Sequence, residues 1–283
     1  MSCARATRRL ASLAVLGVLP WSSLAAQSAD QPSGVLITGR DLGLVGGATA
    51  GAALLSRFDV RVARTFGDSA FHARHPGLTT AAKRASVVTE TALMLTGGAI
   101  YCIARFRHDD GATAAVAFHT TESVLSAALF IQVVRGALGR ARPHVIDEAG
   151  ESPDGDPYDF EPLHGFTSFD YRSFPSMHAM ASFAVASALS QEMRQRDTPH
   201  RQLVSPLLYV GAAMPAVARM YLDQHWTSDI AMGVFLGVFA GQKVVSYSHD
   251  HPDNRVDRTF LGPRLNVGLV RDVRGMSLFV SPF

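Results

Sequence analysis

The chain has 283 residues, of which 47% are hydrophobic and 18% are charged, and its formal net charge is +2. This composition is apolar for a soluble protein and favours one large core. The charge is nearly balanced, and no basic run is interleaved with aromatic side chains, so nucleic acid is not an expected partner.

The first 26 residues have the three-part layout of an export signal. A basic segment with three arginines (residues 5–9) precedes an apolar segment (residues 10–21), and Ala25 and Ala26 offer small side chains for cleavage. We therefore predict a signal peptide, or an uncleaved N-terminal anchor, over residues 1–26. The signal therefore predicts an exported protein of the cell envelope. It would either lie in a membrane, with its active site on the periplasmic or outer side, or be soluble in the periplasm.

Residues 27–260 alternate apolar runs with polar connectors. The runs are rich in Ala, Leu, Val and Gly, and their lengths are typical of helices rather than strands. We predict a single all-α domain here, a bundle of about six core helices. The predicted helices cover about residues 42–55, 85–104, 113–134, 178–192, 203–221 and 228–247.

The sequence is compatible with two forms of this bundle. A membrane-spanning helix needs about 20 mostly apolar residues, and residues such as Glu90, Glu122 and Arg219 interrupt the runs. Interrupted runs are typical of buried helices in soluble proteins. They also occur in membrane bundles, where ionisable side chains face the interior and serve function. Both a soluble and a membrane-spanning bundle are retained, with a membrane as an expected partner.

The last segment, residues 261–283, differs in composition from the bundle. Leu265–Val270 and Met276–Val280 are rich in strand-forming residues and flank a polar turn that contains Gly275. This pattern predicts a short C-terminal β-hairpin.

Three polar motifs follow in chain order, and the first is RGALGRARP at residues 135–143. Arg135 and Arg142 are seven residues, or two helical turns, apart, so both would project from one face of a helix that ends at Pro143. Two guanidinium groups on one side suit a phosphate dianion. Taken alone, they and Arg140 are more typical of a basic helix end that complements the helix dipole or anchors at a membrane surface.

The second motif is PSMH at residues 175–178, just before a run of small residues. Ser176 lies where a helix N-cap is expected, so its hydroxyl and the following backbone N–H groups would form an anion site. His178 would then lie in the first helical turn, where it can donate a proton to a leaving oxygen. An ordinary helix cap followed by a half-buried histidine is the alternative.

The third motif is RMYLDQHWTSD at residues 219–229. His225 and Asp229 are four residues apart and would be neighbours on a helix that begins before them. A carboxylate that fixes one imidazole nitrogen leaves the other free as a nucleophile. Taken alone, the pair is more typical of a helix surface.

Together, the three motifs carry a resemblance to a known family. Their order and spacing, RxxxxxxRP, PSxH and RxxxxxHxxxD over residues 135–229, resemble the signature of the superfamily of type 2 phosphatidic acid phosphatases and vanadium-dependent haloperoxidases. The resemblance implies an all-α bundle. It also implies that His225 is a nucleophile that forms a phosphohistidine, that Asp229 orients it and that His178 protonates the leaving group. The implied ligands of the phosphoryl oxygens are Arg135, Arg142, Ser176, Arg219 and the amide of Met177.

Three positions depart from the family's usual residues. Arg135 stands where Lys is usual, Met177 where Gly is usual, and Ala218 where Ser is usual. Arg135 keeps the charge but replaces a compact ammonium with a wide planar fork. Met177 keeps its backbone N–H but adds a bulky side chain at a position where Gly permits close approach or a positive φ.

The expected function is a metal-independent phosphatase. Its expected substrate is a phosphate monoester or diphosphate, of a phosphatidate-like or polyprenyl lipid. No cofactor and no metal ion are expected, since neither the pair His72 and His75 nor the pair His249 and His251 has a convincing third ligand in the sequence. The alternatives are a haloperoxidase that holds vanadate on His225, a soluble periplasmic acid phosphatase acting on small esters, and an inactive envelope scaffold.

Overall fold

The computed structural model describes residues 37–108, 110–145, 155–262, 265–272 and 275–282. The predicted signal segment, residues 1–26, lies outside these residues. The described part is mostly helical, which confirms the helical bundle predicted from composition. In chain order the helices are α1 (Gly39–Leu55), α2 (Asp59–Phe66), α3 (Ser69–Arg74), α4 (Pro76–Ala85), α5 (Glu90–Ile103), α6 (Gly111–Leu138), α7 (Met177–Gln195), α8 (Arg201–Tyr221), α9 (Thr227–Asp250) and α10 (Arg255–Phe260).

Each of the six predicted apolar runs corresponds to one long helix, namely α1, α5, α6, α7, α8 or α9. The short helices α2, α3 and α4 were not predicted, because they lie in a polar stretch without a long apolar period. One of them, α2, places Asp59 in the buried interior.

The first motif leaves its helix earlier than the spacing of its arginines predicts. Helix α6 ends at Leu138, and Gly139 follows with a φ of 58° in the left-handed region. A side chain on Gly139 would overlap the carbonyl group of Glu161. The predicted helix end at Pro143 is therefore wrong, because glycine at this position stops the helix. Arg142 belongs to an extended segment and does not share a helix face with Arg135.

Helix α7 lies at the centre of the bundle. Its side of small residues packs with α6 and α9 in one apolar cluster, which includes Ile131, Met180 and Leu236. A second cluster joins α7 to α8 and α9 through Ala179, Ala216 and Ile230. Because three long helices hold α7, the residues at its N-terminus have fixed positions relative to the ends of all three.

Glycines at four-residue spacing allow α7 and α9 to touch through their backbones. Gly233, Gly237 and Gly241 lie on one face of α9. A Cβ atom on any of them would overlap the α7 backbone, with Ser176 O and Met180 O among the atoms it would meet. Small residues in this pattern bring helix axes unusually close.

Three of the described helices are long and apolar enough to cross a membrane, judged by length and composition: α6, α8 and α9. Helices α4 and α5 meet at a 52° bend and, with the turn that follows α5, make a fourth candidate if the pair counts as one broken span. These helices fit a membrane protein.

The chain continues after the bundle into two strands, β1 (Leu265–Asp272) and β2 (Gly275–Pro282). They pair antiparallel, with Leu265 opposite Pro282 and Asp272 opposite Gly275. None of the three polar motifs lies in this segment, so the candidate site is built by the helices and their connections.

We expect Gly237→Ala to lower the free energy of unfolding by about 1 to 3 kcal/mol, because the new methyl group forces α7 and α9 apart. The matched control is Gly211→Ala on α8, where an added Cβ meets no atom within 4 Å; helix propensity predicts a gain of up to about 1 kcal/mol there. Thermal unfolding of the purified variants measures both. Equal effects of the two substitutions would contradict the close α7–α9 contact.

Candidate active site

The residues of the three motifs meet at one end of the bundle. Arg135 lies near the C-terminal end of α6, and Arg219 lies near the C-terminal end of α8. His178 lies in the first turn of α7, and His225 immediately precedes α9. The fold thus brings together four helix ends that are up to 90 residues apart in sequence.

Arg140 holds the centre of this region and was not predicted as a site residue. Its side chain is only 2% exposed. One terminal nitrogen donates to Asp229 Oδ1 at 2.5 Å and to Ser228 Oγ at 2.8 Å, and the other donates to Asp59 Oδ2 at 2.9 Å. Its Nε donates to the carbonyl oxygen of Pro157 at 2.8 Å. Arg140 therefore pairs with two buried carboxylates and donates to protein acceptors from all three of its nitrogens.

Asp229 is completely buried, and its hydrogen bonds fix the start of α9. Besides Arg140, it accepts from Ser173 Oγ at 2.5 Å and from the Trp226 backbone N–H at 2.8 Å. The bond to Trp226 is a helix cap, since a carboxylate at the third helical position satisfies an N–H at the helix start.

His225 is oriented chiefly by a backbone carbonyl. Its Nδ1 lies 2.8 Å from the carbonyl oxygen of Ser173, which accepts only, so Nδ1 carries the proton. Asp229 Oδ2 is farther away, at 3.6 Å from the same nitrogen. Helix α9 begins at Thr227, so His225 lies before the helix and does not share a helical face with Asp229. The result is nevertheless an imidazole whose Nε2 is unprotonated and available as a nucleophile.

Arg135, Arg142 and Arg219 share an unusual feature. Among the described residues, none of the three has a carboxylate within ion-pair distance, although Arg142 is only 1% exposed. The Nε atoms of Arg142 and Arg219 are also buried, and neither has a hydrogen-bond partner among the described residues. Buried positive charges without a counterion are costly, so this cluster is suited to an anion.

Neutral side chains hold the three arginines in place. The Gln224 side-chain oxygen accepts from Arg142 at 2.5 Å and from Arg219 at 3.1 Å. The Gln132 side-chain oxygen accepts from Arg135 at 2.8 Å. Amide oxygens orient guanidinium groups without cancelling their charge, which leaves that charge for a ligand.

The arginines also affect one another. Burial, followed by the charges of Arg219 and Arg135, lowers the pKa of Arg142 to about 9. Arg142 also lies over the ring of Phe169, with 4.0 Å from its guanidinium carbon to the ring centre. A bound dianion would relieve this repulsion.

The N-terminus of α7 faces the same region. Ser176 caps it as predicted, accepting from the Ala179 N–H at 3.4 Å. Met177 follows in ordinary helical geometry, and its side chain is 4% exposed and packs in the apolar core. The methionine in place of the usual glycine therefore does not obstruct the site, because its side chain points away and only its backbone N–H is at the helix start.

Two histidines are held neutral in the ligand-free site. Burial, together with the charges of Arg219 and His225, lowers the pKa of His178 to about 3. Burial also lowers the pKa of His225 to about 4, with Arg142 adding to the shift and Asp229 opposing it. A backbone hydrogen bond with Ser86 orients His178. A bound anion would favour the protonated form of either ring.

The residues missed by sequence reasoning are mainly those that support the site. Gln224 and Ser228 lie within the third motif but were not predicted to act, and Asp59 and Ser173 lie in none of the three motifs. Asp59 is 81 residues from its partner Arg140. Arg140 lay within a motif but was interpreted only as part of a basic helix end.

The comparisons with known proteins agree with the resemblance found in the motifs. The family model described as the PAP2 superfamily matches residues 117–252. Over these residues the chain is similar to the PAP2 superfamily. All the residues predicted to be catalytic or to bind phosphate lie in the matched segment. The superfamily supports a phosphoric ester hydrolase in general terms.

Among solved structures, the chain is similar to a transmembrane PAP2-type phosphatidylglycerolphosphate phosphatase from Bacillus subtilis. The two share 18% sequence identity and a TM-score of 0.38, and the match covers 72% of this chain and 98% of the other. The comparison with curated proteins found no match.

Arg140, which is ion-paired, and Arg142, which is not, predict different effects of substitution on stability. We expect Arg140→Met to lower the free energy of unfolding by about 3 to 5 kcal/mol, since it leaves two buried carboxylates without a counterion. We expect Arg142→Met to change it by less than about 1 kcal/mol or to raise it, because a charge without an ion pair is removed. Chemical unfolding of both variants in phosphate-free buffer tests this. Equal losses in the two would contradict the assignment.

The histidines predict sensitivity to acid. Well above a pH of about 6.5 the imidazole of His225 is neutral in both the folded and the unfolded state, so it contributes nothing to the pH dependence of stability. As the pH falls further, the unfolded chain binds the proton first, so stability is lost until the pH reaches the folded pKa of about 4. At pH 5 the loss is about 2 kcal/mol.

We therefore expect wild type to lose more unfolding free energy between pH 7 and pH 5 than His225→Gln does, in phosphate-free buffer. The substitution His75→Gln, at an exposed position outside the site, is the control. Identical pH dependence of wild type and His225→Gln would contradict a buried neutral His225.

Proposed function

We propose that this protein is a metal-independent phosphatase that transfers the phosphoryl group of a lipid phosphate to His225 and then to water. The observation that carries the proposal is the cluster of Arg135, Arg142 and Arg219, none of which has a carboxylate of the described residues within ion-pair distance. Two of the three arginines are buried, and the cluster lies next to a histidine whose Nδ1 donates to a backbone carbonyl. The PAP2 superfamily match supports the same class of reaction.

Binding is the first step of the proposed reaction. Arg135, Arg142 and Arg219 supply charge-assisted hydrogen bonds to the phosphoryl oxygens. The N–H of Met177 and the hydroxyl of Ser176, at the start of α7, add donors at the positive end of the helix dipole. Because these donors are fixed before substrate arrives, they stabilise the charge that develops on the oxygens during transfer.

Transfer follows by in-line attack of His225 Nε2 on phosphorus. The bond to the alcohol oxygen breaks as the N–P bond forms, and the proton on Nδ1 stays directed at the Ser173 carbonyl oxygen. Asp229, at 3.6 Å, stabilises the positive charge that appears on the ring. Its own position depends on Arg140 and Ser173.

His178 donates the proton that the leaving alcohol requires. Burial and Arg219 lower the pKa of His178 to about 3 in the ligand-free site, so the proton must arrive with or after the substrate. A bound phosphate dianion raises that pKa, because it offsets the charge of the arginines. In the second step His178 accepts a proton from water, which attacks the phosphohistidine and releases inorganic phosphate.

Exposed apolar surface supports a lipid substrate and a membrane location. On α8, exposed large apolar residues recur at helical spacing along one stripe, and α6 carries a second such group. Contiguous apolar surface of this size is unfavourable in water and typical of contact with lipid. The stripe on α8 consists of Leu203, Leu207, Val210, Met214 and Val217, and the group on α6 consists of Leu125, Leu129, Phe130 and Val133.

The candidate site lies at the ends of these apolar helices. Arg135 is three residues from the end of α6, and Arg219 is two residues from the end of α8. If the helices cross a bilayer, the arginines lie close to one membrane surface, at the depth of a phosphate headgroup. A lipid could then present its phosphate without leaving the bilayer.

We expect His225→Gln to reduce phosphate release from phosphatidate by at least about 1,000-fold, since nucleophile and acid act as a unit. The control is His251→Gln, which lies at the far end of α9. Release of inorganic phosphate from detergent-solubilised protein is the measurement. Unchanged release in His225→Gln would refute the mechanism, and absence of release in wild type would favour an inactive scaffold.

The reaction class has a separate test. Wild type is loaded with orthovanadate and supplied with hydrogen peroxide and bromide, and oxidation of bromide is followed. We expect vanadate to inhibit phosphate release and to support no halide oxidation above a His225→Gln background. Vanadate-dependent bromide oxidation would instead identify a haloperoxidase.

The substrate class is tested by competition among phosphate esters. We expect kcat/KM for phosphatidate or an isoprenyl diphosphate in mixed micelles to exceed that for a small aryl phosphate by at least about 100-fold, because the apolar chain adds binding energy that the small ester lacks. Membrane fractionation of the expressing cells is performed in parallel. Equal kcat/KM values with the protein in the soluble fraction would indicate a soluble acid phosphatase.

A further inference from the structure

A second polar cluster lies at the opposite end of the bundle. It comprises His119 on α6, Glu192 on α7 and His249 on α9, whose ligand atoms all lie within 4.8 Å of one another. Glu192 is 14 residues beyond His178 on α7, and His249 is 20 residues beyond Asp229 on α9. At 1.5 Å per helical residue, the cluster is about 20 to 30 Å from the candidate active site.

The cluster has the side chains of a metal centre of the two-histidine, one-carboxylate type. His119 Nδ1 lies 2.5 Å from Glu192 Oε1, and His249 Nε2 lies 3.1 Å from Glu192 Oε2. The sequence offered no third ligand for His249, but folding supplies two from helices far away in the chain. Imidazole and carboxylate ligands of this number favour a borderline divalent ion such as Zn²⁺.

Asp257 on α10 completes the arrangement as an outer partner of His119. Its Oδ1 lies 3.4 Å from His119 Nε2, and both atoms are buried without a hydrogen bond in the described part of the chain. Its other oxygen accepts from the Asn254 side-chain amide at 2.8 Å. A metal ion on Nδ1 would place the ring proton on Nε2, facing Asp257. Carboxylate partners of this kind orient metal-binding histidines.

The charges of the region also favour a cation. Glu192 and Asp257 are buried, and a third carboxylate oxygen, Glu122 Oε2, is buried there without a hydrogen-bond partner among the described residues. Arg196 pairs with Glu192 at 2.8 Å. With neutral imidazoles, three carboxylates and one arginine leave a formal charge of −2, which a divalent ion would cancel. The exposed Arg258 is solvated beside them.

A cavity adjoins the cluster and supplies room for a further ligand. It has a volume of about 370 Å³ and is lined by His119, His249, Asp257 and Arg258, among others. Three protein ligands beside open space are typical of a metal ion that also binds water or a small anion.

We propose that His119, Glu192 and His249 bind a divalent metal ion of the zinc class, with Asp257 orienting His119, at a site separate from the phosphatase centre. The ion joins α6, α7 and α9 at the end of the bundle opposite the candidate active site. Glu192 binds through Oε1, since Oε2 is engaged by Arg196. This proposal does not depend on the proposed phosphatase reaction.

The test uses the full-length chain without a polyhistidine tag, stripped with a chelator, incubated with Zn²⁺ and dialysed. We expect wild type to retain about one equivalent of zinc by elemental analysis and its unfolding temperature to rise on loading. The variant His249→Gln, altered at a half-exposed position, should lose both effects. The neighbouring His251→Gln should keep both, and Asp257→Asn should weaken retention about 10- to 100-fold.

A spectroscopic arm identifies the ligands even if one variant is unstable. Co²⁺ bound to wild type should give the intense visible bands of a four-coordinate ion. His249→Cys should add a thiolate-to-cobalt charge-transfer band, which requires residue 249 to bind the metal. The proposal is overturned if wild type retains no more zinc than His249→Gln, or if Co²⁺ binds without the new band in His249→Cys. Either result would leave a protonated histidine and carboxylate network at this end of the bundle.

Discussion

The candidate site depends on one buried guanidinium group, that of Arg140. It links Asp59 from an early short helix to Asp229 at the start of α9, and all three of its nitrogens donate to protein atoms. Since both buried carboxylates pair with this one side chain, Asp229 can hold Ser173 and the cap of α9 in place. Ser173 in turn presents the carbonyl oxygen that fixes the tautomer of His225. The nucleophile is thus positioned through a chain of contacts that begins at Arg140.

The same arrangement explains why the other arginines are left for a ligand. The carboxylates nearest the centre already pair with Arg140, and Arg142 and Arg219 share the amide oxygen of Gln224. The close approach of α7 to the glycines of α9 adds the N-terminus of α7 to this positive region. Positive charge without a counterion is unfavourable in the empty protein, and it is the source of affinity when a phosphate arrives. Stability and function therefore make opposite demands on Arg142.

The sequence predicted those parts of the fold that a local pattern of residues determines. Six apolar runs predicted six long helices, and Ser176 before a run of small residues predicted the cap of α7. The helix containing Arg135 was predicted to run to Pro143, because the seven-residue spacing of Arg135 and Arg142 suggested two more helical turns. In the structure the helix ends at Leu138, where Gly139 follows in the left-handed conformation. Asp59 could not have been predicted, since its partner is 81 residues away and no motif contains it. The orientation of Met177 was also hidden, as it depends on the packing of α6 and α9 around α7.

The account rests on His225 as the phosphorylated residue, and direct identification of that residue is the sharpest test. Wild type and His178→Gln are mixed with ³²P-labelled phosphatidate or with an aryl phosphate, whose leaving group needs little protonation, and are quenched in base. Mass spectrometry then locates the label. The account predicts a base-stable phosphohistidine at residue 225, more abundant in His178→Gln because water is no longer activated. Label on any other residue, or continued hydrolysis without labelled His225 in either protein, would contradict it.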